Sequence, residues 1–438
     1  MNSNINFYKK KYLKYKEKYL SLQLNNLKDG QRYKESLNLK GGSKQENRIP
    51  SLKYLIIKSL DDLISMKDLE STPALLGNIY ENAPESNKFI VKNIEQLFWL
   101  HEKIPLEITY LIFDDYFNFN QEINQEINQE IQKINIYTLL PGLGNLKSLT
   151  FGLMFNQNIE PLARLGNLET LTFGHMFKEH IRPLAGLGNL KSLTFGDIFN
   201  NDIEPLAKLG NLKSLTFGLM FNQKIKPLER LKKLETLTFG HMFKEHIGPL
   251  AGLGNLKSLT FGDMFNNDIA PLEELGNLET LTFGLMFNQK IEPLARLKKL
   301  ETLTFGLMFK EHIGPLARLG NLKSLTFGDM FNNDIAPLAE LGNLETLTFG
   351  NNFNKSIEPL AKLENLKSLT FGYDFNHNIS PLAGLANLET LTFGFKFDQD
   401  ISLLAGLTKL KSLTFDRNFK QDTIFLKEKN PSLNIIKK

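Results

Sequence analysis

Seven histidines are the side chains here best suited to metal or proton chemistry, and five of them share one local setting. His175 and His180 bracket one His-Met-Phe-Lys-Glu-His segment, His241 and His246 a second, and His312 closes a related Leu-Met-Phe-Lys-Glu-His. Two imidazoles share a metal ion only when their nitrogens come within ~4 Å, given Zn–N bonds of about 2.1 Å. His175 and His180 could meet in this way inside one turn, but Glu179 is the only carboxylate at a matching offset. These segments therefore read as polar surface turns. The chain has no Cys, which removes thiolate nucleophiles, disulfides and sulfur-based metal centres. Ser148, Thr170 and their equivalents are plentiful, yet no Ser/His/Asp grouping differs from its copies as a catalytic site should. The glycines recur in Phe-Gly pairs and form no phosphate-binding loop. Neither enzyme activity nor a cofactor is expected.

The elements that must position these residues are repeats. From Leu143 to Glu428 the sequence divides into thirteen 22-residue units without insertion, the first being LGNLKSLTFGLMFNQNIEPLAR. Leu occupies positions 1, 4 and 7, Thr 8, Phe 9, Gly 10 and Phe 13, with Ile, Pro and Leu usual at 17, 19 and 20. The two Phe positions, Phe151 to Phe415 and Phe155 to Phe419, hold 26 of the 34 phenylalanines. Leu-Thr-Phe at 7 to 9 alternates as a strand with one buried face does, so Leu and Phe point inward and Thr outward. Gly at 10 admits a turn where a side chain would obstruct, and Pro-Leu-Ala suits a short helical or 3-10 turn opening at the Pro. A unit this short cannot close a core alone, whereas stacked units bury a continuous one. Equivalent histidines then lie roughly 14 Å apart at strand spacing, too far to share a metal.

A second period of 66 residues lies over the first: the turns LMFNQN, HMFKEH and DIFNND of the units from 143 return as LMFNQK, HMFKEH and DMFNND from 209 and as LMFNQK, LMFKEH and DMFNND from 275. Position 5 runs Lys147, Glu169, Lys191, Lys213, Glu235, Lys257, Glu279, Glu301, Lys323, Glu345, Lys367, Glu389, Lys411, and ten of its twelve neighbouring pairs are opposite in charge. Such a row favours stacking in register.

The pattern Ile159-Glu-Pro-Leu-Ala-Arg-Leu-Gly-Asn-Leu resembles the leucine-rich-repeat family, in its short 22-residue class, over about two thirds of the chain. The usual Asn position of that family is mostly Met here, with Phe-Asn following, and Phe-Gly-x-x-Phe-Asn-x-x-Ile is similar to the FNIP variant of amoebal proteins and giant DNA viruses of amoebae. The resemblance implies an α/β repeat solenoid: an arc with short parallel strands on the concave face and 3-10 or short helical turns on the convex face. An Asn ladder at position 14 is interrupted by Lys178, Lys244 and Lys310.

Residues 1–43 form a basic arm, with ten Lys and Arg against three Asp and Glu, while the remainder carries 42 against 45. Tyr8, Tyr12, Tyr15, Tyr19 and Leu22, beside Leu13, Leu20 and Leu27, make it an amphipathic helix in pattern. It resembles a Tyr- and Lys-rich segment at the start of many giant-virus proteins, followed by Gly-Gly, here Gly41-Gly42. Coiled-coil or docking contact, including self-association through residues 8–27, is one reading; an anionic surface or nucleic acid is another, and a solvated arm a third. The solenoid itself, being slightly acidic, is not expected to bind nucleic acid. Residues 44–104 show no repeat and read as an N-terminal cap. Residues 105–142 read as a degenerate first repeat, with strand Leu111-Ile112-Phe113, turn Phe117-Asn118 and an insertion of three Asn-Gln-Glu-Ile copies from Asn120 to Ile131. Residues 429–438 complete a C-terminal cap. Met1–Lys18 lacks a secretory apolar core and no run is long enough to span a membrane, so an intracellular setting is expected: host cytoplasm or viral factory, if viral.

The expected function is protein binding through the concave surface and its rim, with the partner's identity open. Position 11 concentrates the variation among copies and lines that rim: Leu153, His175, Asp197, Leu219, His241, Asp263, Leu285, Leu307, Asp329, Asn351, Tyr373, Phe395 and Arg417. Tyr373 and Phe395 break the triplet pattern, either as exposed anchors or as cover for the core edge. The alternatives are a substrate-recruiting adaptor for a ubiquitin ligase, since related FNIP proteins can carry an F-box that residues 44–103 do not display, and a structural or virion-associated assembly protein.

Overall fold

The structure, a computed structural model, describes residues 88–91, 100, 108–114 and 139–438. The chain divides into Met1–Ser65 and Met66–Lys438, and every described residue belongs to the second unit. The basic arm 1–43, most of the region 44–104, the turn at Phe117-Asn118 and the Asn-Gln-Glu-Ile run lie outside the described residues.

Each repeat contributes one short strand, because only Leu-Thr-Phe alternates before Gly ends the run. Sixteen strands form one parallel sheet in sequence order, from β1 (Lys88–Val91) and β2 (Tyr110–Phe113) through β3 (Ser148–Thr150) to β14 (Thr390–Thr392), β15 (Ser412–Phe415) and β16 (Asn434–Lys437). From β3 onward the register advances by one repeat at every step, as in Leu149 opposite Leu171 and Leu391 opposite Leu413. The same interval separates Lys88 from Tyr110, so β1, within the stretch read as a cap, is already a rung of the sheet. Tyr110 pairs with Ser148 across a longer interval, which contains the Asn-Gln-Glu-Ile run. Beyond β15 the chain adds a helix, Ile424–Lys429, and then β16, opposite Ser412 at Asn434.

Behind the sheet run 3-10 turns such as Glu160–Arg164 and Glu292–Arg296, with Pro in the second position and a buried Leu. Proline's fixed φ suits the start of such a turn. The Leu at 1, 4, 7 and 20, the Ile at 17 and both Phe rows fill one continuous core. Within a unit the two rings stack face to face at 3.7–4.0 Å between centroids. Along the solenoid, neighbouring rings are 5.6–5.9 Å apart in the first row and 6.0–6.3 Å in the second. These intervals exceed the ~4.8 Å between strands, so successive repeats fan outward and the sheet lines the inside of the curve.

Polar ladders close the rest. Asn at position 3 donates its side-chain amide to a carbonyl of the preceding repeat, as Asn189 does to Gly166 at 2.8 Å. At position 14 the Asn side chain accepts instead, from the backbone N–H of the next repeat, as in Asn222 to Asn200 at 2.8 Å. A lysine there can still donate its backbone N–H, and Lys244 does so to Asn222 at 3.0 Å. What lysine cannot do is accept from the following repeat. In each of the three places the next residue along supplies the link: Asn201, Asn267 and Asn333 donate to the carbonyls of Lys178, Lys244 and Lys310. The interruptions are thus bridged, and the 66-residue period is a three-step hydrogen-bond pattern.

Candidate partner-binding surface

The inner face is built from rows, each one residue of the repeat stacked on its copies. Row 5 carries the alternating charges. Six of its opposite pairs close to 2.6–3.5 Å, among them Lys191–Glu169, Lys213–Glu235 and Lys411–Glu389. The hydrogen bond from Lys191 holds the Glu169 carboxyl below its ordinary value, and Lys213 and Lys411 do the same for Glu235 and Glu389. Rows 6 and 8 are half-buried Ser and Thr, giving a floor of small hydroxyls.

Row 10 is glycine because the backbones of successive repeats touch there. A Cβ on Gly262 would be driven into the carbonyl of Gly240, and one on Gly196 into that of Gly174. The contact brings row 12 close enough for its N–H to donate to the row 11 carbonyl of the preceding repeat, as Met220 does to Asp197 at 2.7 Å. Asp416 stands where this ladder ends. There Arg417 N–H donates to Lys438 instead, and Asn418 N–H to the Asp416 side chain.

The thirteen row 11 residues lie just past the strands, after positions 9 and 10, and the fold sets them side by side along one edge of the floor. Leu153 and Leu219 are exposed. His175 Nδ1 lies 2.8 Å from Asp197 Oδ2, and His241 Nδ1 lies 2.8 Å from Asp263 Oδ2, so each of these imidazoles faces the next repeat. Among the described residues no group of three His, Asp or Glu is placed to hold a metal ion. Tyr373 and Phe395 lie outside the core, 45% and 43% exposed, with rings parallel at 4.7 Å. Lys396 Nζ sits 5.8 Å from the Tyr373 ring centre and 2.7 Å from Asp374. That hydrogen bond from Lys396 to Asp374 raises the pKa of the lysine above its ordinary value.

Row 12, which sequence reasoning passed over, has the most uniform chemistry of the rim. Eight of the ten methionines occupy it, from Met154 to Met330, with Ile198 between. Met176, Met220, Met264, Met286 and Met330 are exposed. The signal was present in the sequence as one residue type confined to one repeat position. After Met330 the row turns polar, with Asn352, Asp374, Lys396 and Asn418. The rim therefore has a methionine-rich stretch followed by an aromatic and charged one. On the other side, Glu179, His180, Asp202, Glu204, Lys208 and Arg230 border an open depression of about 610 Å³.

Three-residue parallel strands at a 22-residue register, 3-10 turns behind them and polar ladders between repeats define a leucine-rich-repeat solenoid. The sequence matches no family model and no curated protein. Among solved structures the chain is similar to an internalin of Listeria monocytogenes, at 28% identity and a TM-score of 0.55 over 63% of this chain and 82% of that one. It is similar to CroV588, a circular leucine-rich-repeat protein of the giant virus CroV, at 27% identity and a TM-score of 0.50 over 80% of this chain and 54% of that one. A leucine-rich-repeat protein of Leptospira interrogans shares the fold at 15% identity and a TM-score of 0.56, over 80% of this chain and 99% of that one. Among the described residues no helix is long and apolar enough to cross a membrane.

Proposed function

We propose that this chain is a non-catalytic protein-binding scaffold that engages its partner through the inner face and rim of the solenoid. The observation that carries this is the stacked, exposed Tyr373–Phe395 pair, flanked by the Lys396–Asp374 ion pair. Two rings held parallel on a rigid sheet edge lose little freedom on binding, which is what an interface anchor requires. Solenoids use extended faces of this kind for recognition. The repeats are of the FNIP-like kind, and the chain belongs with giant viruses of amoebae, acting in the host cytoplasm or viral factory. The likeness to CroV588 supports the viral kinship.

Affinity capture with the full chain from source or infected cells, followed by mass spectrometry, tests the reading. Tyr373→Ala combined with Phe395→Ala should abolish capture of the partner while leaving the melting temperature unchanged. Capture retained by the double variant would sink the proposal. Recovery of a ubiquitin-ligase scaffold or of capsid components would move the function to an adaptor or a virion-assembly role.

A further inference from the structure

The three copies of the 66-residue unit place the same residues in row 11 except at one position. In the first two, an imidazole stands beside the row 11 aspartate: His175 by Asp197 and His241 by Asp263, each at 2.8 Å. In the third that place is Leu307, and Asp329 has no ion pair among the described residues. Asp329 Oδ1 accepts only a backbone N–H, from Asn351 at 3.2 Å. The aspartate is half-buried. Its own carbonyl and that of Leu307 tie it into the ladder, where Met330 N–H donates to Leu307 and Asn352 N–H to Asp329. Leu285 precedes Leu307 in the row, and Met286 and Met330 are exposed alongside.

A carboxylate partly withdrawn from water, with Leu307 before it and Asn351 after it in the row, attracts a cation more strongly than one in free solution, because screening is weaker there. Leucines and methionines beside it suit the aliphatic stem of a long basic side chain. Resting on the scaffold reading above, we propose that Leu285, Leu307 and Asp329 form a subsite for an arginine or lysine that the partner protein carries next to apolar residues. The incoming cation takes the place that imidazole holds in the other two copies. Charge complementarity commits the surface to a basic, apolar-faced segment; an acidic or purely polar segment leaves the carboxylate unpaired or the leucines exposed.

Fluorescence anisotropy on the full chain tests this with a labelled amphipathic peptide of leucine and arginine, against the same peptide with Glu for Arg. The Arg peptide should bind and the Glu peptide should not. Asp329→Asn should weaken binding about five- to tenfold, and Asp329→Glu should retain most of it. Asp197→Asn makes the same change in net charge and should leave affinity unaltered. Leu307→His installs the arrangement that the fold already accepts at His175 and His241, and should weaken binding about as much as Asp329→Asn without a fall in melting temperature. Absence of binding, equal losses from Asp197→Asn and Asp329→Asn, or full affinity in Leu307→His would each overturn the assignment. None of these outcomes touches capture through Tyr373 and Phe395, so the subsite can fail while the scaffold reading stands.

Discussion

Gly262 shows what a single residue does in this chain. Its neighbour in space is the carbonyl of Gly240, a backbone atom that cannot swing aside as a flexible side chain could. Gly262→Ala should therefore cost on the order of 3 kcal/mol, because two repeats must part and the row 11 to row 12 ladder must lengthen. Gly276, in the Leu-Gly-Asn-Leu segment, has open space around it, and Gly276→Ala should raise stability by about 0.5 kcal/mol through the unfolded state. Thermal melts of the two variants check the contrast; similar melting temperatures would remove the close-approach explanation. The sequence marked row 10 as a place where a side chain would obstruct. It could not show that the obstruction is the neighbouring repeat, because that contact joins residues 22 positions apart.

At the scale of the element, each strand is too short to hold itself, and its rows of side chains are its means of staying in register. Glu169, Glu235 and Glu389 have carboxyls held below the ordinary value of 4.5, first by hydrogen bonds from lysines of adjoining repeats. A carboxyl depressed in the folded state contributes stability that is present above 4.5 and is lost as pH falls through its folded value. The triple variant Glu169→Gln, Glu235→Gln, Glu389→Gln should therefore melt below the wild type at neutral pH and approach it in acid. These groups are exposed, so added salt should narrow the neutral-pH gap as well. A gap that persists in acid would assign the loss to packing. Alternating charge at position 5 was legible in the sequence. Which pairs close was not, since a lysine between two glutamates can reach only one well.

For the molecule as a whole, stability should be close to a sum over repeats and their interfaces. Phe243 is fully buried in the middle of its row, and Phe243→Ala should cost about 3–5 kcal/mol. In a one-dimensional stack that loss is local. Denaturant unfolding followed by hydrogen exchange should show the flanking repeats separating into two transitions, whereas a single shared transition would mean the Phe rows couple the whole length. The sequence by itself determined the repeat, its strand, its inward Leu and Phe, and the 3-10 turn at the Pro, because all of these follow from spacing within one unit. β1 escaped it, since Lys-Phe-Ile-Val has three apolar residues in succession, all buried, where the repeats alternate, and lacks their Leu-Thr-Phe-Gly signature. Only the tertiary structure decided how units meet: the bridging asparagines behind each lysine, the His–Asp contacts and the stacked Tyr373–Phe395 pair. Each is a contact between one repeat and the next, and such contacts exist only once stacking brings residues 22 apart in sequence to within a strand's width in space.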